Sequence, residues 1–510
     1  MTAPSVVPVI PQEVQREISS LRTKLFYGFG SIAFGVKDNG FSYFLLIFYN
    51  QVVGLPAFWV GSAIAIALAV DAFVDPVIGQ ISDNWHSRLG RRHPFMYGAA
   101  VPVAIGYWFV WNPPAGWSQN ALFYYLIAIA IAVRSVIAVY EIPSTALVAE
   151  LTPDYDQRTS FFSYRFLFGW LGGLAMQLLA YGVFLVPSLH YRVGLQNPVG
   201  YSRYGLTASL MMVAAIVISA AGTQKFVRYF VTVPRRSVPF RQVLKEMGES
   251  LNHRSFIVLS ISALFSSVAA GTLAALNNYF NVFFWGLSSG QIFLLSLTVV
   301  ASPIVAIFVS TPLSRAIGKK RAAIAFWISS TVFGWIPMGA RLLDLFPRNG
   351  APVLMPLLIF FTTIATMLSI SSSVTISSML ADVVEDSQRK TGRRSEGLFF
   401  SANAFVLKAV SGMGILVATQ LLAFVRFPAH ADPATLDPKI PASLALAYFP
   451  VTFTLYAVAL GCLGFYRISR ASHEENLRRL AAEAEQAPFA VGVEGVRTGE
   501  HGDPAEQVAG

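Results

Sequence analysis

The sequence predicts an all-α polytopic membrane protein whose twelve transmembrane helices form two six-helix halves. Of its 510 residues, 55% are hydrophobic and only 13% are charged, whereas soluble domains average about 25% charged residues. Apolar segments of about 20 residues recur along nearly the whole chain, and a helix of that length crosses the ~30 Å hydrocarbon layer of a bilayer. A basic stretch at 223–254, which contains VPRRSVP, separates the first six segments from the last six.

We number the predicted helices span 1 to span 12 in chain order, from hydrophobic runs long enough to cross the bilayer. The start of the chain, MTAPSVVPVIPQEVQRE, has no basic segment leading into a short apolar core, so no removable signal peptide is expected. The predicted spans cover residues 25–51, 57–83, 95–112, 121–150, 159–187, 204–222, 255–285, 288–313, 321–344, 351–384, 397–426 and 442–467. The predicted organisation is a segment 1–24, a first half 25–222, a central loop 223–254, a second half 255–467 and a mostly disordered tail 468–510.

Lysine and arginine lie mostly in the loops of one side. The loops at 84–94, 223–254, 314–321 and 385–396 carry 18 of these residues, and the loops and helix ends of the other side carry six. Because cytoplasmic loops are enriched in Lys and Arg, both termini are predicted to be cytoplasmic. The formal charge of +10 is explained by this bias and by attraction to anionic lipid, so no nucleic-acid partner is expected. The single Cys462 excludes an internal disulfide.

Two pairs of similar segments indicate that the halves arose by duplication. AELTPDYDQRTSFFSYRF follows span 4 and ADVVEDSQRKTGRRSEGLFFS follows span 10, while RLGRRHP follows span 2 and SRAIGKKR follows span 8. The alternative for the second pair is that basic inner loops occur in every polytopic protein. Two related halves favour a transporter in which one half rocks against the other around a site near the middle of the membrane.

Span 2 contains Asp71 and Asp75 in the apolar run DAFVDPVIGQISD, and their four-residue spacing places them on one helix face. An ionised side chain in a membrane-length helix costs roughly 3 kcal/mol to insert, so such groups usually serve a function. Together with Glu141 of span 4 they form the predicted site of a coupling cation, either Na⁺ or H⁺, both of which suit carboxylates. The alternative is that these acids only hold helices together through salt bridges with nearby bases.

Several bases and one further acid lie in the same predicted helices. Arg134 is seven residues before Glu141 on the same face, where it is either a partner of that glutamate or a substrate contact. Only one of these charged residues belongs to the second half, so the cation site is predicted in the first half and the substrate is predicted to bridge both. The charged residues predicted to bind substrate are Lys37, Asp38, Arg134, Glu141, Arg165 and Lys408.

Polar residues at two other places are candidates for binding and gating. Asn277 and Tyr279, in the asparagine-rich end of span 7, either hydrogen-bond a polyol or join helices. A gating role at the inner surface is predicted for Asp83, Arg88, Arg91 and Arg92. Close packing between helices is predicted at Gly169, Gly172 and Gly173.

Taken together, these motifs resemble the glycoside-pentoside-hexuronide:cation symporter family of the major facilitator superfamily. The resemblance covers roughly residues 22–468 and rests on YGFG with a downstream Lys-Asp pair, DAFVDPVIGQISD with RLGRRHP, EIPSTALVAELTPDYDQRT, SYRF, and MLADVVEDSQRKTGRRSEG followed by a lysine in span 11. It implies the major facilitator fold. Carried over by position, it implies cation-binding carboxylates at Asp71, Asp75 and Glu141, and sugar-site residues at Lys37, Asp38, Glu141, Arg165 and Lys408.

The chain departs from the family pattern at positions near these charges. Val74 and Ala138 stand where family members have an asparagine and a threonine, so two neutral oxygens that support Na⁺ are missing. Thr145 replaces a tryptophan that stacks on sugar, which argues against a galactoside. Arg134 replaces a small residue, which favours an anionic solute such as a uronate. Animal lysophosphatidylcholine symporters share the glutamate of span 4, so an amphiphile is the alternative substrate.

The sequence therefore predicts a symporter, driven by Na⁺ or H⁺, that imports a small sugar-like solute by alternating access. The alternative is a symporter of a lysolipid or another anionic amphiphile. An intramembrane enzyme is disfavoured, because there is no HExxH motif and no nucleophile partnered with a histidine. No cofactor is expected besides the coupling cation. The expected partners are the solute, the cation and the bilayer, and the protein is expected to be a monomer in a bacterial inner membrane.

Overall fold

The computed structural model describes residues 11–152, 154–229, 254–391 and 412–465. These residues form helices and turns without a β-strand. Eight of their helices are long and apolar enough to cross a membrane, and there are nine if the bent pair Ser289–Pro303 and Phe308–Ile317 is one span. The remaining predicted spans are also helical where they are described. The all-α polytopic fold is thus confirmed, while most of the central loop and all of the tail lie outside the described residues.

The first half contains spans 1 to 6. Span 6 begins at Pro198, earlier than predicted, because the side chain of Asn197 accepts hydrogen bonds from the helix start and proline fits the first helical position. A short helix, Gln12–Ile18, precedes span 1. The bounds are Leu21–Phe29, Ile32–Asn39, Gly40–Phe44, Leu45–Ile47 and Phe48–Val52 for span 1, Ala57–Asn84 for span 2, His93–Val110 for span 3, Gln119–Leu151 for span 4, Tyr155–Leu179 and Ala180–Phe184 for span 5, and Pro198–Gln224 for span 6.

The second half contains spans 7 to 12. Span 10 continues to Thr391, beyond its predicted end at 384, because its apolar part is followed by good helix formers such as Glu, Gln, Arg and Lys. Span 8 begins with a capping box at Ser288, and only the second part of span 11 lies in the described residues. The bounds are Arg254–Tyr279 and Phe280–Phe284 for span 7, then Ser289–Ile317, Lys319–Leu342, Leu354–Thr391, Met413–Phe424 and Lys439–Gly464 for spans 8 to 12.

The two halves have the same internal packing. Span 1 packs against spans 5 and 6, and span 4 packs against spans 2 and 3; likewise span 7 packs against spans 11 and 12, and span 10 packs against spans 8 and 9. The halves meet where span 1 contacts span 7, span 2 contacts span 11 and span 5 contacts span 8. The counterpart of each span of the first half is thus the span whose number is six higher, as a duplicated fold requires.

Spans 1 and 5 approach each other through glycines. A Cβ atom added to Gly35 would overlap the carbonyl oxygen of Gly169, and one added to Gly173 would lie 2.8 Å from the carbonyl oxygen of Gly35. A Cβ atom at Gly172 would lie 2.9 Å from the Cα atom of Ile32. The predicted close packing at the three glycines of span 5 is therefore confirmed, and span 1 is the helix they contact.

We call the end of the bundle that carries the loop at 84–94 the basic end. At the opposite end, span 1 is wound more loosely than an α-helix. The N–H of Val53 donates to the carbonyl of Phe48 at 3.0 Å, and the N–H of Leu55 donates to the carbonyl of Tyr49 at 2.9 Å. Gly54, between them, has a φ of +89°, which glycine adopts without steric strain.

Span 7 ends in the same way. The N–H of Trp285 donates to the carbonyl of Phe280 at 2.9 Å, and the N–H of Leu287 donates to the carbonyl of Asn281 at 2.8 Å. Gly286 has a φ of +65°. Turns of this π-helical kind are frequent at functional sites, and the matching ends are a third repeat between the halves.

We predict that Gly35→Ala lowers the thermal unfolding midpoint of the purified protein. The added methyl group must push spans 1 and 5 apart, and overpacking of this kind costs about 1–3 kcal/mol. Gly98→Ala in span 3 is the matched control, because nothing lies within 4 Å of a Cβ atom at that position. Midpoints that respond alike to the two substitutions would contradict the close contact.

Candidate functional site

Asp71 and Arg134 form a buried ion pair between spans 2 and 4. The guanidinium donates from Nε at 2.6 Å and from Nη2 at 2.5 Å, and both bonds reach the same carboxylate oxygen, Oδ2. The two residues are only 6% and 7% exposed, respectively. The other oxygen, Oδ1, is buried and has no hydrogen-bond partner among the described residues. Arg134 thus contacts the acid of span 2, which agrees with the salt-bridge alternative for that acid.

Spans 2 and 4 lie side by side in a fixed register. The offset of 63 positions that joins Asp71 to Arg134 also joins Gly79 to Ile142, whose Cγ2 atom lies 3.7 Å from a Cβ atom placed on the glycine. Two contacts at one offset mean that the helices run parallel over this length. The register therefore fixes the level of every other residue on the two facing sides.

This register separates the three predicted cation ligands along the bundle. Asp75 is level with Ala138, and Glu141 lies about one turn beyond Asp75 toward the basic end. Both acids are half-buried. In the part of the chain that the structure describes, no three carboxylate, histidine or cysteine side chains are placed to hold a metal ion. In this conformation Asp71 and the two other acids therefore do not enclose a common cation site.

Arg165 of span 5 is a second buried base, at 6% exposure. Its Nη1 atom donates to Oγ of Ser144 at 3.1 Å, and its guanidinium carbon lies 5.0 Å from the ring centroid of Phe34, which is a favourable cation–π distance. Glu141 is close enough to interact with it electrostatically. Among the described residues no carboxylate lies within salt-bridge distance of this guanidinium. It can therefore donate hydrogen bonds to an acidic or hydroxyl group of a solute.

Lys37 and Asp38 are neighbours in span 1 and pair with each other, with Nζ 2.5 Å from Oδ1. The lysine is buried, but the aspartate side chain is 59% exposed. An ionised carboxylate in the middle of a membrane-length helix does not face lipid, because the free-energy cost is several kcal/mol. The exposed side of Asp38 therefore borders a polar space between spans. Lys408, the base predicted from the second half, lies outside the described residues.

Arg92 is the centre of a polar cluster at the basic end. Its Nε atom donates to Oε1 of Glu150 at 2.9 Å, and its Nη1 atom donates to Oγ of Ser82 at 2.8 Å and lies 2.5 Å from Oδ1 of Asp83. Arg91 also contacts Glu150, at 3.0 Å. The cluster joins the end of span 2, the start of span 3 and the end of span 4.

Three of the four predicted gating residues belong to this cluster. Arg88 does not, since it is exposed and has no ion pair among the described residues. Glu150, which holds two arginines, was not among the predicted site residues. The sequence does carry a signal for it: Glu150 ends an apolar helix on the same predicted side of the membrane as a loop with three arginines.

The asparagine-rich end of span 7 joins the two halves. The hydroxyl of Tyr279 donates to Oδ1 of Asn50 in span 1 at 2.8 Å. Asn278 donates to the backbone carbonyl of Tyr43 at 2.8 Å and accepts a hydrogen bond from the hydroxyl of Tyr181 at 2.7 Å. In this conformation Tyr279 is thus an interhelical contact.

Gln51 joins the halves through its side chain and its backbone. Its Nε2 atom donates to the carbonyl of Pro428 at 2.9 Å, and its Oε1 atom accepts from the N–H of Ala431 at 2.8 Å. Its carbonyl oxygen lies 3.1 Å from Nδ1 of His430. Gln196 adds a bond to the carbonyl of Ala431 at 2.5 Å.

We call this set of contacts between the halves, at the end opposite the basic end, the seam. Asn277 accepts a hydrogen bond from Asn281 within span 7, at 2.8 Å. Sequence reasoning missed Asn50 and Gln51, although a polar pair in the apolar run FYNQVVG was a usable signal. The seam consists of Tyr43, Asn50, Gln51, Tyr181, Gln196, Asn278, Tyr279, Pro428, His430 and Ala431.

Known proteins resemble this chain along most of its length. The family described as MFS/sugar transport protein matches residues 26–470. An uncharacterised symporter of Synechocystis is 27% identical, over 92% of this chain and 98% of its own. The putative glycoside/cation symporter YagG of Escherichia coli is 23% identical, over 92% of this chain and 98% of YagG. The sodium-dependent lysophosphatidylcholine symporter 1 of Gallus gallus is 24% identical, over 91% of this chain and 90% of that symporter.

Solved structures share the fold. The xylose transporter XylE from Escherichia coli, in an inward-open conformation, matches with a TM-score of 0.55 and 13% identity, over 90% of this chain and 98% of its own. A bacterial homologue of the human lysosomal transporter Spinster, in an inward-facing conformation, matches with a TM-score of 0.56 and 14% identity, over 92% and 99%. At these identities the likeness concerns the fold alone.

We predict that Arg92→Ala lowers the thermal unfolding midpoint of the protein by several degrees. It removes one of the two cations that neutralise the buried carboxylate of Glu150, and breaking a buried ion pair costs about 3 kcal/mol. Arg88→Ala, in the same loop, is the control and is expected to change stability by less than about 0.5 kcal/mol. Equal midpoints for the two variants would argue against the cluster.

We predict that Gln51→Ala raises the hydrogen-exchange rate of the Ala431 amide, because the substitution removes the acceptor of that N–H. We expect a rise of about tenfold, which corresponds to ~1.4 kcal/mol of local stability. Exchange measured by mass spectrometry on peptides covering 427–433 is the readout. Gln119→Ala is the control, because Gln119 bonds to Gly54 within the first half. Unchanged exchange in Gln51→Ala would show that this bond does not hold the seam.

Proposed function

This chain belongs to the MFS/sugar transport protein family and is a multi-pass secondary transporter, not an enzyme. From that premise we propose that it is a cation-coupled symporter which imports a small sugar-like solute by alternating access. The resemblance to the glycoside-pentoside-hexuronide:cation symporters, inferred above from motifs, is confirmed by the matched family and by relatives named as symporters.

The observation that carries the proposal is the set of charges inside the first half. Lys37, Arg134 and Arg165 are buried, and Asp38 exposes a carboxylate in the middle of span 1. Charges at this depth are rare in membrane proteins and mark the paths of ions and substrates. Their concentration in spans 1, 2, 4 and 5 supports a polar path along this half.

The seam supports an alternating-access cycle. If the basic end is cytoplasmic, as the distribution of Lys and Arg predicts, the seam closes the outward end. A hydrogen bond contributes only about 1 kcal/mol net, so a few of them can break and re-form in each cycle. One cation moving inward across ~100 mV releases about 2.3 kcal/mol, which supports roughly 50-fold accumulation of a neutral solute.

The polar groups of the site favour a solute with hydroxyl and acidic groups. Arg165 presents a guanidinium without a carboxylate at salt-bridge distance among the described residues, and Asp38 presents an exposed carboxylate. Thr145, whose hydroxyl donates to the carbonyl of Glu141 at 2.7 Å, offers no ring on which a sugar can stack. We therefore favour hexuronides and related acidic sugars within the class of glycosides, pentosides and hexuronides.

A lysolipid or another anionic amphiphile is the second candidate. The observation that favours it is the match over 91% of this chain to a protein named as a lysophosphatidylcholine symporter. A guanidinium such as that of Arg165 also binds phosphate well. An amphiphile would need a path that opens sideways to the bilayer, whereas a sugar would not.

The coupling cation in the proposal is Na⁺ or H⁺. Asp75 in span 2 and Glu141 in span 4 are half-buried carboxylates, and Asp71 lies one turn before Asp75 in span 2. Binding of the cation there would change the electrostatic field at Arg165, so that cation and solute bind cooperatively. We place the protein in a bacterial inner membrane, with both termini cytoplasmic, as a monomer.

The test is uptake by purified protein in proteoliposomes. Labelled glycosides, uronates and lysolipids are offered separately, each with a Na⁺ gradient, a pH gradient or neither. We expect accumulation of an acidic sugar under one of the two gradients. Accumulation of lysolipids alone would favour the second candidate, and no accumulation of any class would contradict both.

We predict that Asp75→Asn abolishes gradient-driven accumulation of the solute found in this way, because it removes the charge that attracts the cation. Asp344→Asn is the control: the same chemical change in an exposed loop residue whose φ of 56° asparagine also tolerates. Accumulation that survives in Asp75→Asn would exclude this carboxylate from coupling.

A further inference from the structure

We propose that Arg134 is a built-in counter-ion which excludes Na⁺ from Asp71, so that this acid is not part of the coupling site. The proposal rests on the proposed function, and it limits the cation site of the symporter to Asp75 and Glu141, the acids nearer the basic end. It also assigns Arg134 a role in cation selectivity.

The geometry of the pair is the first argument. Nε and Nη2 of Arg134 both lie against Oδ2 of Asp71, at 2.6 and 2.5 Å. A second cation at this oxygen would approach a fixed positive charge in a buried site, where screening by water is weak. The pair is neutral as it stands, and adding Na⁺ would leave one uncompensated positive charge.

The remaining oxygens near the pair are the second argument. Hard cations are held by several oxygen ligands at once. Oδ1 of Asp71 is buried and has no hydrogen-bond partner among the described residues, but one oxygen does not make a site. Val74, three residues after Asp71, and Ala138, four residues after Arg134, each lie one helical turn from the pair and have no side-chain oxygen.

A purely structural role for Arg134 would also explain the ion pair. The two roles predict different effects of replacing the guanidinium with a neutral group. If Arg134 only holds spans 2 and 4 together, replacing it lowers the stability of the folded protein and leaves Na⁺ binding unchanged. If it excludes Na⁺, its loss creates a Na⁺ site that depends on Asp71.

The test is equilibrium binding of radioactive Na⁺ to the full-length protein in nanodiscs, with choline as the balancing cation. We expect Arg134→Gln to bind Na⁺ at least about tenfold more tightly than the wild type. We expect Arg134→Lys, which keeps a positive charge, to show no such gain. The double variant Asp71→Asn/Arg134→Gln is expected to lose the gain again.

Two results would overturn the proposal. One is folded Arg134→Gln protein whose Na⁺ binding equals that of the wild type. The other is wild-type Na⁺ binding that the double variant loses, which would mean that Asp71 binds Na⁺ with its arginine in place. The double variant keeps polar groups at both positions, so this second comparison holds even if Arg134→Gln alone does not fold.

Na⁺ binding needs no transported solute, so this experiment and the uptake assay fail independently. Loss of uptake of every solute, with the expected Na⁺ binding, would contradict the proposed function only. Gradient-driven uptake with Na⁺ binding unaffected by Arg134→Gln would contradict the role of Arg134 only.

Discussion

A charge inside a bundle of membrane-spanning helices must be paired or hydrated within the bundle, because hydrocarbon offers it neither water nor counter-ions. In this protein the ion pair of Asp71 and Arg134 meets that requirement for one charge of span 2 and one of span 4. It also fixes the register in which these spans lie, and with it the levels of Asp75 and Glu141. The arrangement of the candidate site therefore depends on one electrostatic constraint.

The sequence predicts the spans well, because the length of an apolar run is dictated by the bilayer and not by tertiary contacts. It also predicts which charged residues lie within the spans. It does not predict their partners: the seven-residue spacing before Glu141 places Arg134 on a helix face, and only the packing of span 4 against span 2 directs it to Asp71. The same holds for Glu150, whose two arginines are about 60 residues away along the chain.

The polar residues of the seam are visible in the sequence, but their pairing is not, for another reason. The geometry of the seam depends on π-helical turns at the ends of spans 1 and 7, and hydropathy carries no information about helix winding. The shared Gly-Leu at 54–55 and 286–287 is too short to be recognised as a repeat, although the backbone hydrogen bonds match at both places. The halves are thus alike in backbone where they meet, while the described buried charges of the site belong to the first half.

The glycine contact between spans 1 and 5 has a mechanical consequence. The backbones touch at Gly35 and Gly169, and the rings of Phe34 and Phe168 pack against glycines of the facing helix, so the two helices interlock and cannot slide past each other without steric overlap. Lys37 and Arg165, which these two helices carry, are therefore held at a constant spacing. Any widening of the polar path during a cycle must come from the displacement of other helices relative to this rigid pair.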